Sequence, residues 1–236
     1  GQTVTLANAG NDFTGAVTVT VGSIVLRDAT ALQVALNSPA TASAGTGQTT
    51  GAGGGSLAVT TGGALTVSGT IAGPDKTLTL VSGASTTIGT LSSQGGLSLT
   101  SAGSVTQAAG STIMIGGSAT ITAPGQAVTL SNAANDFSGT LTVTGAGVSV
   151  SDANALNVAI QAGGQSSVVA RGRVQIGGSV AAPSQSGTGT GTAPSSVLPV
   201  LAVNAAGVVF DALAVQGPLT VRSTDAVSQA GAGALQ

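Results

Sequence analysis

The chain has 236 residues, with seven acidic and five basic side chains, 5% charged and 1% aromatic residues, and no Cys, His, Trp or Tyr. That composition excludes thiol chemistry, disulfides, histidine-based metal sites and His-dependent nucleophilic triads, and its near-neutral balance leaves no electrostatic footprint for nucleic acid or an anionic membrane surface. With 42% hydrophobic residues and a mean hydropathy of +0.48, the chain is the opposite of a solvating tail and long enough to bury a sizeable core.

From the N-terminus onward the predicted elements are short strands. Val4-Thr5-Leu6, Val17-Thr18-Val19, Leu65-Thr66-Val67, Leu78-Thr79-Leu80, Leu97-Ser98-Leu99, Ile121-Thr122, Leu141-Thr142-Val143 and Leu219-Thr220-Val221 alternate apolar with hydroxyl residues. A period of two with β-branched side chains marks half-buried strands, apolar side inward and Thr or Ser side outward. Gly, Asn, Asp and Ala-Gly pairs separate the strands and supply the corners. No stretch carries a capped stripe of period 3.6, so essentially no helix is expected.

Self-comparison finds a long period. Gly1 to Ala35 and Gly125 to Ala159 agree at about 20 of 35 positions, at an offset of 124 residues. Leu91 to Ala108 agrees more loosely with Leu213 to Ala230, at an offset of 122. The chain therefore divides into a first unit, 1–124, and a second, incomplete unit, 125–236, forming one continuous solenoid. Two Gly/Ser/Thr-rich stretches, 37–56 and 182–196, read as loops extruded from it, since loop closure costs little more as loops lengthen. Gly1 in place of Met and the unfinished second unit point to a piece of a longer array. No export leader or membrane-spanning apolar run is seen.

Tandem units of short strands favour a solenoid over a sandwich or barrel, because each unit buries its apolar face on the next. At about 20 residues per coil, this predicts roughly 10 coils and a rod of about 50 Å, with Val, Leu and Ile stacked in rows.

The best carboxylate candidates are Asp12 and Asp136 in an N-D-F corner and Asp28 and Asp152 in a D-A-x-A-L corner. Acids on a β-helix would suit a polysaccharide hydrolase or lyase. The favoured reading is structural: Asp and Asn side chains satisfy turn backbone groups, and these recur once per unit. Asn8, Asn11, Asn132 and Asn135 read likewise, as corner residues whose amides bond the neighbouring coil, and Phe13 and Phe137 fill a corner of the core. No catalytic, cofactor-binding or metal site is assigned. Thr-x-Thr pairs (Thr3/Thr5, Thr18/Thr20, Thr77/Thr79, Thr120/Thr122, Thr142/Thr144) are irregularly spaced along the chain, as ordinary outward strand residues are.

The pattern N-x-x-N-D-F-x-G, then V-T-V-T-like alternation, then D-A-x-A-L, at Asn8 to Leu32 and Asn132 to Leu156, resembles the repeats of secreted bacterial exoproteins of the filamentous haemagglutinin type. So does the G-x-L-x-L-x-S-x-G-x-V-x-Q pattern at Gly95 to Gln107. The resemblance implies a right-handed parallel β-helix, two-partner (type V) secretion through an outer-membrane translocation pore, and a place at the bacterial cell surface. The expected function is non-enzymatic: a shaft segment projecting an adhesive tip. Its expected partners are neighbouring repeats of the same polypeptide, with end-to-end self-association as a further expectation and no cofactor, nucleic acid or small-molecule substrate. A self-assembling extracellular fibre or biofilm matrix subunit is the alternative function, and a β-helical polysaccharide enzyme the third.

Overall fold

A computed structural model describes residues 2–39, 55–182 and 199–231, and among them it contains strands and corners but no helix. The strands of the first half are β1 (Thr3–Leu6), β2 (Ala16–Thr20), β3 (Ser23–Asp28), β4 (Leu32–Ser38), β5 (Ser56–Thr61), β6 (Leu65–Ile71), β7 (Thr77–Ser82), β8 (Thr86–Ser93), β9 (Gly96–Ser101), β10 (Val105–Gln107), β11 (Ile113–Ile115) and β12 (Ala119–Thr122). Those of the second half are β13 (Ala127–Leu130), β14 (Asp136–Phe137), β15 (Thr140–Gly145), β16 (Gly147–Asp152), β17 (Leu156–Ala162), β18 (Ser166–Ala170), β19 (Arg173–Val180), β20 (Leu201–Ala205), β21 (Gly207–Val215), β22 (Leu219–Ser223) and β23 (Val227–Gln229).

They form two walls. One is an 11-stranded sheet in the order β1-β3-β5-β7-β9-β12-β15-β17-β19-β21-β23, and the other follows β2-β4-β6-β8-β10-β13-β16-β18-β20-β22, with β11 and β14 continuing its rows beyond a corner. Neighbouring strands run parallel, so the chain winds as a β-solenoid of about 9 turns. Coil length varies. Val17 lies opposite Val34 and Thr3 opposite Ser23, offsets of 17 and 20 residues, while Val105 lies opposite Val128, an offset of 23.

Two coils are longer: Ile24 lies opposite Leu57 and Ser166 opposite Leu201, offsets of 33 and 35. Each adds residues to one coil while the next strand resumes in register. Most of the stretches 37–56 and 182–196 lies outside the described residues; their roots sit on these two coils. At the first root, buried Lys76 donates from Nζ to Ser38 Oγ and the Pro39 carbonyl, both at 2.7 Å. Desolvation pushes the pKa of this amine below the ordinary lysine value.

The inward residue of each strand stacks on that of the coil below. Ile24, Leu57, Leu78, Leu97, Ala119, Leu141, Val158 and Ile176 make one such column, each at most 2% exposed. Burying a Val, Leu or Ile contributes roughly 1.5 to 3 kcal/mol, and the parallel ladder satisfies the backbone between coils. Gly69 and Gly178 mark bulges on corresponding strands, β6 and β19, with φ of 135° and 105°. A Cβ there would stand 1.8 Å from the Leu36 carbonyl oxygen and 2.0 Å from that of Ile160, so only glycine fits.

The repeat and the winding are out of step by half a turn. β1 and β3 lie in the first wall, while their counterparts β13 and β16 lie in the second; β2 and β4 lie in the second, while β15 and β17 lie in the first. An odd number of wall strands separates the copies, with β10 and β11 counted as one row. Equivalent faces of the two units therefore point to opposite sides of the rod.

Candidate functional site

The N-D-F and D-A-x-A-L words come together in space because successive coils place them side by side. Asp28 lies one coil beyond Phe13, and its carboxylate accepts Phe13 N–H at 2.7 Å and Thr30 N–H at 2.8 Å. Asp152 repeats this with Phe137 N–H at 2.8 Å and Asn154 N–H at 2.7 Å. Asn11 donates to the Leu6 carbonyl at 3.0 Å, and Asn135 to that of Leu130 at 3.1 Å. Asn8 and Asn132 each accept the N–H two residues on, at 2.9 Å. Asp12 accepts Thr30 Oγ1 at 2.8 Å, and Asp136 accepts Ser138 Oγ at 3.1 Å. Sequence words separated by a whole coil thus close one hydrogen-bonded corner, built twice.

The carboxylates of Asp28 and Asp152 have both oxygens occupied by backbone N–H groups. In this role they bind the chain to itself. Burial pushes the Asp152 pKa above the ordinary carboxylate value; the Phe137 and Asn154 N–H groups oppose the shift and the Asp136 charge adds to it. In other coils the place of Asp28 is taken by Thr61, Ser82 and Ser101, which are buried and hydrogen-bond corner carbonyls. Over these four coils the corner position is polar, while in the coil after Asp152 Ala170 takes the same place, so an acid is one of several solutions to the same backbone problem.

The second corner has a further layer. Gln107, at the end of β10, exchanges two hydrogen bonds with Asn135: Gln107 Nε2 donates to Asn135 Oδ1 at 2.7 Å and Asn135 Nδ2 donates to Gln107 Oε1 at 3.0 Å. Ile113 N–H also reaches Asn135 Oδ1, at 2.9 Å. Asn132 donates its backbone N–H to Gln107 Oε1 at 3.2 Å and its amide to the Ser111 carbonyl at 2.6 Å. Gln107 was visible in the sequence as the last residue of a repeated V-x-Q word, but its partner could not be read there. A hollow of about 220 Å³ opens beside this layer, lined by Gln107, Ala108, Ala109, Gly110, Ser131 and Asn132. Among the described residues no three His, Cys, Asp or Glu side chains gather as a metal site.

The outward Thr residues are more ordered than their chain spacing suggests. Thr120 lies between Ser98 and Thr142, and Thr122 between Thr100 and Thr144. On the second wall Thr66, Thr87, Thr106, Thr129, Ser149 and Ser167 occupy six successive rows. Each wall therefore carries a neutral column of hydroxyl residues.

A family model described as repeats of unknown function (DUF5649) matches residues 1–20 and 75–144. No curated protein and no solved structure matches the chain. The 124-residue offset maps residues 1–20 onto 125–144, the closing part of the longer match. The chain is a repeat protein, and the matched repeat runs through the corner of Asn132 to Phe137 and the coil beneath it.

Proposed function

We propose that this chain is a shaft segment of a large secreted bacterial surface adhesin, similar to the filamentous haemagglutinin type, and that it carries a binding tip away from the cell. The observation that carries the reading is the uninterrupted pair of parallel walls, whose core columns pass through both units and past both insertion roots. A body held this way resists bending because each interior coil is hydrogen-bonded along both walls to the coil before it and the coil after it. The corner acids support the same reading, since they tie coil to coil. In this proposal the chain leaves the cell through an outer-membrane pore by the two-partner route, and the low charge and alternating hydroxyl strands let the coils form outside in sequence.

Small-angle scattering tests the shape, and binding of the isolated chain to host cells and glycans tests the role. A rod of about 43 Å, from about 9 turns at about 4.8 Å each, with no cell or glycan binding of its own is expected. A compact particle, or direct receptor binding by this chain, would overturn the shaft reading.

A further inference from the structure

The first wall carries a two-column array that the second lacks. On β7, β9, β12 and β15 the outward residues line up as Thr79, Ser98, Thr120 and Thr142 in one column and Val81, Thr100, Thr122 and Thr144 in the other. Three successive coils thus present a hydroxyl pair two residues apart: Ser98 with Thr100, Thr120 with Thr122, and Thr142 with Thr144. The pairings from β5 to β17 on this wall hold one register without a bulge, so the two columns stay side by side. On the second wall Thr87, Thr106, Thr129 and Ser149 make a single column. There the register shifts between Val67 and Gly69, and Ser151, two residues beyond Ser149, is buried.

The surroundings of the paired hydroxyls narrow the class of ligand. Among the described residues, none of Thr79, Ser98, Thr100, Thr120, Thr122, Thr142 and Thr144 spends its hydroxyl on a protein partner; side-chain bonding starts at the flank, where Asn157 Nδ2 donates to Thr140 Oγ1 at 3.4 Å. The strands β5, β7, β9, β12, β15 and β17 contain no charged and no aromatic residue. An ionic ligand finds no counter-charge on such a face. A sugar finds neither an aromatic surface nor a concave site, since the hollow at Gln107 to Asn132 includes no residue of this wall. What remains is a neutral lattice of hydroxyl and methyl groups, spaced about 4.8 Å from coil to coil and about 6.6 Å along each strand. β-Branching restricts each Thr to few rotamers, so the lattice is set before any ligand arrives.

We propose that this face, centred on Thr120 and Thr122, is an ice-binding site whose ligand is the surface of crystalline water. Water oxygens on the prism face of hexagonal ice repeat at similar intervals in the two directions. Each hydroxyl can both donate and accept, as a lattice water does, and so takes the place of one. The methyl groups beside them sit against the crystal and carry no hydration shell that has to be stripped. The site uses outward side chains only and is independent of what the rod carries.

Adsorption of the chain to slowly grown ice tests this, with ice-crystal shape and the gap between freezing and melting read alongside. Enrichment in the ice fraction over an inert globular protein is expected, together with faceted crystals. Thr120→Tyr and Thr122→Lys place a bulky or a charged group at the centre of the face; both should abolish adsorption and shaping while leaving the circular dichroism unchanged. Thr106→Tyr, at an exposed position on the second wall, should leave both intact. Exclusion of the chain from ice would overturn the proposal, as would adsorption that survives Thr120→Tyr and Thr122→Lys or is lost equally in Thr106→Tyr. Retention on crystalline cellulose or chitin without adsorption to ice would also overturn it and assign the face to a polysaccharide.

Discussion

The corners at Asn8 to Phe13 and Asn132 to Phe137 differ in one respect that matters: the second has a coil beneath it and the first, among the described residues, does not. The hydrogen bonds of Asn8 and Asn132, of Asn11 and Asn135 to Leu6 and Leu130, and the paired N–H groups on Asp28 and Asp152 agree to about 0.1 Å. Yet Asn135 is 0% and Phe137 1% exposed, while Asn11 and Phe13 are only partly buried. Local sequence therefore sets the shape of a corner, and stacking sets how much of the stability rests on it. Substitutions at matched positions should separate these two contributions.

The largest contrast is expected at the phenylalanines. Phe137→Ala removes a side chain enclosed by three coils and should cost about 3 to 5 kcal/mol, as large-to-small changes in close-packed cores do. Phe13→Ala empties a site already open on one side and should cost about 1 to 2 kcal/mol, because less area is returned to water. Urea unfolding of the two variants checks both values. Equal costs would mean that the first corner is covered in solution.

Next come the amides. Asn135→Ala removes the buried partner of the Leu130 carbonyl and the Ile113 N–H and takes two bonds from the Gln107 carboxamide, which keeps those to the Ser111 carbonyl and the Asn132 N–H, and about 2 to 4 kcal/mol follows. At Asn11 water can replace the lost partners, and the cost falls to about 1 kcal/mol. Gln107→Ala should reproduce part of the Asn135 loss and add little to it, a coupling that a double-mutant cycle reads directly.

A pH effect belongs to the buried corner. Burial dominates at Asp152, so its folded pKa lies above that of the unfolded chain and folding takes up a proton between the two values. Its contribution is complete below the unfolded value near 3.8 and is lost as pH rises through the folded value. Asp152→Asn should remove that slope from the pH dependence of unfolding. Lys76 runs the other way: its folded pKa lies below the unfolded one, so stability rises with pH from the lowered value up to the ordinary 10.5. Lys76→Met should flatten that alkaline limb.

Much of the architecture was legible because the word V-T-L or L-T-V states strand, face and outward residue at once. The tandem offset then pointed to stacking. The corner roles of Asp28 and Asn11 were legible too, since both residue types favour turns and both recur. The half-turn phase between units was not, because it depends on how many wall strands 124 residues contain, and the coils run from 17 to 23 residues where no insertion intervenes. The same variation hid the register of the hydroxyl columns. Gln107 was hidden for a related reason: its partner Asn135 is 28 residues away, more than one coil, at a separation no local word encodes.

The smallest effect is expected on the outer wall. Thr120 is exposed, with Ser98 and Thr142 as its row neighbours, and its hydroxyl has no protein hydrogen bond among those formed by the described residues. Thr120→Val keeps the β-branched shape that the pleat favours and exchanges a hydrated hydroxyl for a methyl. Stability should change by no more than about 0.5 kcal/mol, in contrast to the several kcal/mol predicted one layer inward. The corresponding change at buried Thr86 differs in kind: its Oγ1 donates to Ser101 Oγ at 3.0 Å, which in turn donates to the Ala84 carbonyl at 2.9 Å. Thr86→Val leaves Ser101 with its carbonyl acceptor and removes only one donor, so a cost of about 1 kcal/mol is expected. If the outer substitution proved as costly as the inner one, the outward column would be packed against something, and its neutral, regular rows would have to be counted as an interface rather than a solvated wall.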